Sequence, residues 1–286
     1  MQSYQELLDH LILSALKEDI GDGDHSTLSC IEPNTEGKAV LKIKQDGVLA
    51  GMKVAERIFQ LVEPTAVFNA IKSDGDMMSA GEIAFEVKAK VPTILSCERL
   101  VLNCMQRMSG IATLTKKYSS LIQGYHTRIL DTRKTTPNFR LLEKEAVRIG
   151  GGVNHRYALY DMIMLKDNHI DYCGGLEAAV NKAWNYVQTK KQELKIEVET
   201  RSIADVEKIL QIGKGKVFRI MLDNFSVIEV GDAVKLIAGK FETEASGGID
   251  IDNIQAYAAT GVDFVSVGAL IHQAKSLDLS LKASFS

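Results

Sequence analysis

The feature that most constrains the fold is an alternation of short strand-like and helix-like segments that fills residues 127–269. The strand-like segments, rich in β-branched and other apolar residues, are 127–132, 162–168, 195–200, 218–224, 241–248 and 263–269. Amphipathic segments with helical spacing lie between most of them. This alternation predicts a parallel sheet. Six or seven such units favour a closed or nearly closed α/β barrel, with an open doubly wound sheet as the alternative.

The first third of the chain has a different pattern, in which antiparallel strands mix with helices. It predicts helices over 4–18 and 53–63, a hairpin within 37–51 that turns at Asp46-Gly47, and strands over 66–72 and 82–90. These elements predict a separate α+β domain. A long helix over 93–123 follows, and because its apolar residues occur nearly all round it, we expect it to be buried between domains or at a subunit interface.

Composition and charge exclude several classes of protein. The 286 residues carry a net charge of −3, so no bulk positive charge attracts nucleic acid. No run approaches the roughly 20 apolar residues that span a membrane. The four cysteines form no C-x-x-C pair, and the acidic N-terminal segment lacks the basic start of a secretory signal. These features predict a cytoplasmic protein that binds neither nucleic acid nor membrane.

Polar residues follow the predicted strands at the point where each strand ends. In a parallel barrel all these ends lie on one face, where active sites are found. The convergent residues are Asp131, Arg133, Lys134, Lys166, Asn168, His169, Glu199, Asp223, Asn224, Ser246, Gly247, Gly248 and Gly268. The glycine-rich segment 150–152 can also bring a backbone close to a ligand and present His155 and Arg156 to it.

The residue types at this face predict an anion site. Arginine binds carboxylates and phosphates with two parallel hydrogen bonds, and glycine turns after late barrel strands commonly bind phosphate. The carboxylates Glu199 and Asp223 suit Mg²⁺ or a developing positive charge. The implied substrates are a carboxylated small molecule and a phosphorylated partner. A Schiff-base role for Lys166 is the rival hypothesis, but the neighbouring cations favour a protonated lysine that binds anions.

Eight motifs in order along nearly the whole chain resemble the quinolinate phosphoribosyltransferase family, also called nicotinate-nucleotide pyrophosphorylase (carboxylating). The motifs are Glu98-Arg99 with Leu102-Asn103 and Ser109 to Thr113, Leu130 to Thr135, Gly150 to Arg156, Lys166 to His169, Glu197 to Glu199, Leu222 to Asn224, Glu244 to Ile249, and Ser266 to Gly268. The acidic segment 18–27 is similar to the family's N-terminal motif as well.

The resemblance implies an N-terminal open-faced α/β sandwich over 1–114, joined by the C-terminal tail 274–286, and an incomplete, seven-stranded α/β barrel over 115–273. It implies that quinolinate and phosphoribosyl pyrophosphate give nicotinate mononucleotide, pyrophosphate and CO₂ with Mg²⁺, in NAD biosynthesis. It also implies a homodimer in which Arg99 reaches the neighbouring subunit's site.

The resemblance further implies roles for individual residues. Quinolinate carboxylates are expected to contact Arg133, His155 and Arg156, with Lys166 nearby, and the pyrophosphate donor to contact Lys134 and Lys166. The ribose hydroxyls and Mg²⁺ are assigned to Glu199 and Asp223, and the 5′-phosphate to Ser246, Gly247, Gly248 and Gly268. Thr132 belongs to the substrate-binding set, and Lys134, Lys166, Glu199 and Asp223 form the catalytic set.

The chain departs from the family pattern where Gly-Leu is usual after the proline of the DTRKT loop, because it has Asn138-Phe139. Asparagine tolerates the left-handed backbone, so we expect the loop to keep its path. The N-terminal motif ends in Ser26-Thr27 rather than Thr-Thr. Three alternatives stay open: a phosphoribosyltransferase for another heteroaromatic acid, such as the molybdenum-associated relatives; a Schiff-base aldolase on the same barrel; and a non-catalytic protein that binds a phosphorylated metabolite.

Overall fold

The computed structural model describes residues 3–190 and 193–284, and the chain divides into two compact units. The first unit consists of Met1–Lys116, Thr135–Gly151 and Leu270–Ser286, and the second of Lys117–Lys134 and Gly152–Ala269. The boundaries expected from the sequence assign 135–151 to the barrel, whereas this segment groups with the first unit.

The described residues form helices and strands in the following chain order. The helices are α1 (Tyr4–Ile20), α2 (His25–Cys30), α3 (Met52–Val62), α4 (Val91–Leu121), α5 (Arg140–Ile149), α6 (Asp167–Cys173), α7 (Leu176–Lys190), α8 (Ile203–Ile212), α9 (Val227–Ile237), α10 (Ile254–Ala259) and α11 (Ala269–His272). The strands are β1 (Glu36–Ile43), β2 (Gly47–Val48), β3 (Val67–Ala70), β4 (Met77–Met78), β5 (Ile83–Lys90), β6 (Arg128–Leu130), β7 (Ile163–Leu165), β8 (Ile196–Thr200), β9 (Arg219–Asp223), β10 (Glu242–Ser246), β11 (Phe264–Ser266) and β12 (Leu279–Ala283).

The predicted N-terminal helix is present as α1, and its start has a local cause. The Ser3 hydroxyl accepts a hydrogen bond from the Glu6 N–H, and the Glu6 carboxylate accepts one from the Ser3 N–H. Such a capping box satisfies two amide groups that the first turn leaves without partners, and removing the cap residue typically costs about 1 kcal/mol. One face of α1, with Leu8, Ile12 and Leu16, is buried.

The first unit is built on an antiparallel sheet of four strands in the order β12-β1-β5-β3. The C-terminal strand β12 thus pairs with β1, which agrees with the expected joining of the tail to this unit. The predicted hairpin at Asp46-Gly47 is wrong, because β1 pairs with β5 and β12 while β2 pairs with β4. The Asp46 carboxylate instead accepts a hydrogen bond from the Ala80 N–H, 2.8 Å away.

The second unit contains a parallel sheet of six strands in the order β6-β11-β10-β9-β8-β7. Consecutive strands β7 to β11 are neighbours, and the first strand, β6, lies beside the last. This order is that of an α/β barrel and differs from a doubly wound sheet, in which the strand order reverses. A seventh strand was expected, and at its position Val153 makes only a single parallel bridge to Leu130.

The alternation of side chains along the parallel strands separates an apolar face from a charged one. Val198, Ile220, Leu222 and Ala245 are at most 1% exposed, and each large aliphatic side chain buried in this way contributes about 1.5–3 kcal/mol. The residues between them on β8, β9 and β10 include carboxylates and an arginine, so the opposite face supplies the polar groups described below.

Two further observations concern the whole described chain. All four cysteines are free thiols, and Cys97 and Cys104 are buried. Among the helices of residues 3–190 and 193–284, none combines the length and the apolar character that a membrane crossing requires.

Candidate functional site

The carboxyl edge of the parallel sheet carries almost all of the predicted site residues. Glu199 is the second-last residue of β8, and Asp223 and Ser246 are the last residues of β9 and β10. The other predicted residues lie just after a strand: Thr132, Arg133 and Lys134 after β6, Lys166 after β7, Gly247 and Gly248 after β10, and Gly268 after β11. Because these strands are parallel, their ends meet at one edge, as the sequence predicted. Arg99 lies on α4 in the first unit, where it is exposed.

Asp131 fastens the segment that holds His155 and Arg156 to the end of β6. Its carboxylate is fully buried and accepts hydrogen bonds from the His155 N–H and the Asn154 side-chain amide, both at 2.8 Å. The Asp131 N–H donates to the Val153 carbonyl at 3.1 Å. Two segments of the sequence that are separated by α5 are thereby placed side by side.

Arg133 and Arg156 form the cationic part of the site. Arg156 is 9% exposed, and burial together with the charge of Arg133 lowers the pKa of its guanidinium. The Arg156 Nη1 donates to the Met162 carbonyl at 3.2 Å, which fixes one end of the side chain. Two positively charged guanidiniums repel each other in a partly buried place. An anion that binds between them relieves this repulsion, so the pair suits an anion-binding site.

Lys166 stands at the start of α6, and its position is fixed through the backbone. The Lys166 N–H donates to His169 Nδ1 at 3.0 Å, and the ammonium group lies 3.3 Å from Glu199 Oε2. The side chain thus lies beside a carboxylate at the carboxyl edge of the sheet, a position from which it can contact an anion.

Glu199 and Asp223 form a carboxylate pair on neighbouring strands. Glu199 is 7% exposed, and burial together with the charge of Glu199 raises the pKa of Asp223. Asn224 Nδ2 donates to Asp223 Oδ2 at 2.6 Å. A carboxylate whose pKa is raised by the charge of a neighbouring carboxylate fits a bound cation or a developing positive charge, so the donor set suits Mg²⁺ completed by substrate oxygens.

The turn after β10 brings backbone close to the ends of β9 and β10. Gly247 has φ 95°, and a Cβ there would lie 2.2 Å from the side-chain oxygen of Asn224. The Asn224 N–H donates to the Ser246 carbonyl at 2.7 Å. Only glycine fits at 247, and the turn therefore exposes backbone N–H groups of the kind that bind phosphate.

A buried ionic cluster, which the sequence did not single out, lies on the same face of the sheet. It consists of His155, Glu197, Arg219 and Glu244, and we call it the buried cluster. His155 Nε2 lies 2.9 Å from Glu197 Oε2 and 3.3 Å from Glu244 Oε2. Arg219 Nη1 lies 3.0 Å from Glu244 Oε2 and 3.8 Å from Glu197 Oε2.

The buried cluster retains a proton at neutral pH. Burial lowers the pKa of His155, but Glu197 and Glu244 outweigh it and raise that pKa to about 9; burial and the charge of Glu244 raise the pKa of Glu197 to about 7. These carboxylates favour an imidazolium, whereas Nδ1 accepts the Arg156 N–H at 2.6 Å. In either state of the ring, Nε2 is the nitrogen that carries a proton, and this proton is directed at Glu197 and Glu244.

His155, Glu197 and Glu244 also have the donor atoms of a metal site. Arg219 excludes this interpretation, because its guanidinium already lies within salt-bridge distance of both carboxylates and would repel a cation. Glu197 and Glu244 are better described as the counter-ions of Arg219 and His155 than as metal ligands.

The sequence contained a signal for the buried cluster that local motifs alone do not reveal. Glu197 and Glu244 each precede a predicted site residue by two positions, Glu199 and Ser246, and residues two apart on a strand face the same side. Charged residues inside otherwise apolar strands, spaced two from a site residue, are the pattern that could have found them.

Comparison with known proteins matches both parts of the chain to one family. The family model for the quinolinate phosphoribosyl transferase N-terminal domain matches residues 24–109, and the model for the C-terminal domain matches residues 111–282. The quinolinate phosphoribosyltransferase [decarboxylating] 1b of Nicotiana tabacum is 44% identical over 96% of this chain and 82% of its own length. The probable nicotinate-nucleotide pyrophosphorylase [carboxylating] of Bacillus subtilis is 40% identical over 99% and 94%.

Solved structures give the same result for the fold. The crystal structure of NadC from Streptococcus pyogenes superimposes with a TM-score of 0.91 at 39% identity, and the match covers 100% of this chain and 99% of that one. The nicotinate-nucleotide pyrophosphorylase from Francisella tularensis superimposes with a TM-score of 0.89 at 36% identity, over 99% and 98%. The predicted fold class, a mixed α/β N-terminal domain and a C-terminal parallel sheet of barrel order, is confirmed.

Proposed function

The chain belongs to the quinolinate phosphoribosyltransferase family, and on that premise we propose that it transfers the phosphoribosyl group of phosphoribosyl pyrophosphate to quinolinate with decarboxylation. The products are nicotinate mononucleotide, pyrophosphate and CO₂, and the reaction serves NAD biosynthesis. The observation that carries the proposal is the guanidinium pair Arg133 and Arg156 at the same sheet edge as the carboxylate pair Glu199 and Asp223. One pair suits a dianionic aromatic acid, and the other suits a sugar that becomes cationic.

The proposed quinolinate site uses the guanidinium pair. Quinolinate carries carboxylates on adjacent ring carbons, and the two positively charged arginines supply hydrogen-bond donors for both. Lys166 adds a point charge nearby, and its ammonium group pairs with the Glu199 carboxylate. His155 belongs to the expected quinolinate contacts as well, and its ring is anchored as described above.

The proposed donor site uses the remaining residues of the carboxyl edge. Lys134 is exposed, and its N–H donates to Thr132 Oγ1 at 3.1 Å, so the turn of the DTRKT motif is ordered by Thr132. In the proposed complex, Lys134 and Lys166 contact the pyrophosphate. The Ser246-Gly247-Gly248 turn and Gly268 bind the 5′-phosphate. Glu199 and Asp223 accept hydrogen bonds from the ribose hydroxyls and would hold Mg²⁺ together with substrate oxygens. When bound, Mg²⁺ offsets the negative charge of the pyrophosphate.

The chemistry requires no covalent bond to the protein. The lone pair of the quinolinate ring nitrogen attacks the anomeric carbon while the bond from that carbon to the pyrophosphate oxygen breaks. Lys134 and Lys166 stabilise the negative charge of the departing pyrophosphate. Glu199 and Asp223 stabilise the positive charge of the oxocarbenium-like sugar. The positive charge on the alkylated nitrogen then stabilises the electron pair that the departing CO₂ leaves on the neighbouring ring carbon, and a proton adds to that carbon. Catalysis consists of positioning and electrostatic stabilisation.

The assembly and the location of the protein are parts of the same proposal. The Arg99 side chain is exposed and makes no hydrogen bond or ion pair within the part of the chain that the structure describes, so it is available to another subunit. We therefore propose a homodimer in which Arg99 enters the partner's site. A cytoplasmic location stays a prediction from the sequence, and a fluorescent fusion in the source cell would test it.

The experiment is an assay of the purified protein with quinolinate, phosphoribosyl pyrophosphate and Mg²⁺, followed by chromatography of nicotinate mononucleotide and capture of CO₂. We expect product from quinolinate and none when nicotinate replaces it. A folded sample that converts another heteroaromatic acid and not quinolinate would move the assignment to that acid. Borohydride treatment with a carbonyl substrate should leave the mass of the protein unchanged, whereas trapping at Lys166 would support an aldolase.

A further inference from the structure

Glu197, Arg219 and Glu244 of the buried cluster have no assigned task in the proposed reaction, although they lie on the face of the sheet that carries the site. Glu197 comes from β8, Arg219 from β9 and Glu244 from β10, and His155 joins them from the segment beside β6. Glu197 and Glu244 are fully buried, and His155 and Arg219 are 8% and 6% exposed. Buried charges of this kind require a reason, since well-packed apolar residues often stabilise a fold as well or better.

The strand register places the buried cluster below the predicted site. Glu197 precedes Glu199 by two residues, and Glu244 precedes Ser246 by two, so each pair shares a face of the sheet. At about 3.3 Å per residue, the buried carboxylates lie roughly 7 Å behind the carboxyl edge. The buried cluster therefore supports the site from inside the second unit rather than lining its mouth.

His155 connects the buried cluster to Arg156. The ring nitrogen Nε2 faces Glu197 and Glu244, and Nδ1 accepts a hydrogen bond from the backbone N–H of Arg156. The backbone N–H of His155 donates to the Asp131 carboxylate. The first two contacts orient the ring, and the last one fixes the backbone at His155. Because both ring nitrogens point to protein groups, the ring is suited to hold Arg156 in place.

We propose that Glu197, Arg219 and Glu244 are positioning residues that orient the His155 ring and, through its bond to the Arg156 backbone, set the place of the Arg156 guanidinium for the substrate carboxylate. The proposal rests on the proposed function, because it concerns the same anion site. Arg219 balances the charge of the two carboxylates, and its guanidinium also lies 4.3 Å from the centre of the Phe264 ring, which limits its movement. The specificity for the acid substrate thus depends on residues that do not touch it.

The experiment compares Glu244→Gln with Glu242→Gln as a matched control. Glu242 bonds the same arginine, at 2.8 Å from Nη2, but its side chain is 37% exposed and it does not contact His155. For Glu244→Gln we expect the KM and the calorimetric Kd of quinolinate to rise about tenfold or more, while the KM of phosphoribosyl pyrophosphate changes less than about twofold. Glu242→Gln should change neither constant by more than about twofold. Melting temperatures of all samples show whether the variants are folded.

A second substitution, Glu197→Gln, gives the same test if Glu244→Gln does not fold. A folded variant with unchanged quinolinate constants would overturn the proposal, as would an equal rise in the constants of both substrates, which indicates general damage. If the unmodified protein converts no quinolinate, the proposed function fails and this inference fails with it. If the unmodified protein is active and the variants are normal, only the positioning role is lost.

Discussion

At the scale of single residues, the proposed quinolinate site rests on the like charges of Arg133 and Arg156, which are expected to distinguish an acid with two carboxylates from an acid with one. An anion that bridges two guanidiniums gains a charge-assisted hydrogen bond from each, and quinolinate has one carboxylate more than nicotinate. The lowered pKa of Arg156 reports that its own burial and the charge of Arg133 both disfavour a second cation when no ligand is present. Removal of either arginine should therefore affect the acid more than the sugar donor.

Arg133→Ala is expected to lower kcat/KM for quinolinate by about tenfold or more, because one charge-assisted hydrogen bond contributes about 1.5–3 kcal/mol. Initial rates at varied quinolinate and fixed phosphoribosyl pyrophosphate provide the measurement. Arg148→Ala is the control, since the Arg148 side chain is 60% exposed and pairs with Glu145 one turn away on α5. Equal kinetics for the Arg133 variant and the control would remove Arg133 from the site.

The residues that the sequence predicted best are those at strand ends. The alternation of strands and helices predicts a parallel sheet, and this alone brings the strand ends to its carboxyl edge. Asn138 is a further success, since it adopts φ 61° and so keeps a left-handed backbone where the family usually has glycine. Glu197, Arg219 and Glu244 were not predicted as a cluster, because their contact depends on which strands are neighbours and in which register. The roles of individual site residues stay predictions.

At the scale of elements, the turn after β10 shows how a single position can control a strand end. Asn224 and Gly247 meet there, and Asn224 itself has φ 58°. The residues that follow β9 and β10, Asn224 and Gly247, thus both have a left-handed backbone and pack closely against each other. The amphipathic pattern predicted both strands but could not show this contact.

Gly247→Ala is expected to raise the KM of phosphoribosyl pyrophosphate and to lower the melting temperature, since the new Cβ collides with Asn224 and the backbone is strained at φ 95°. The left-handed conformation alone costs a non-glycine residue about 1–2 kcal/mol. Gly231→Ala provides the control, because this helical glycine of α9 has open space around it and alanine favours the helix by about 1 kcal/mol. Two variants with the same melting temperature and kinetics would show that the turn tolerates a side chain.

Elements with a clear pattern in neighbouring residues were predicted, whereas the strand pairing around Asp46-Gly47 was not. Helix α1 and the short strands of the barrel follow from the spacing of their apolar residues. The Asp46-Gly47 turn is different, because the strand before it pairs with β5 and β12, which lie far along the chain. Val153 illustrates the same limit, since a single bridge replaces the expected seventh strand.

At the scale of the whole molecule, the proposed homodimer predicts that two inactive variants can repair each other. Arg99→Ala removes the residue proposed to act on the partner's site, and Lys134→Ala removes a residue of the protomer's own site. Each homodimer should be inactive, whereas a heterodimer contains one site in which both residues are intact. With random exchange of subunits, mixtures should recover about a quarter of the unmodified activity.

The mixing assay requires proof that subunits exchange, which mass spectrometry of differently tagged protomers supplies. Lack of recovery in a sample with confirmed heterodimers would place Arg99 in the site of its own subunit. Recovery without any detectable dimer would contradict the proposed assembly. Both observations are independent of the positioning role proposed for Glu244.

The pairing of β1 with β12 has a consequence for how a ribosome releases this protein. All six strands of the parallel sheet leave the ribosome before β12, whereas β1 leaves early and has only β5 on one side until β12 is made. During that time the other edge of β1 presents free backbone groups, which neighbouring nascent chains can bind. Strand β12 therefore completes a sheet that began with a strand made much earlier, and removal of β12 would leave the newborn protein exposed to aggregation.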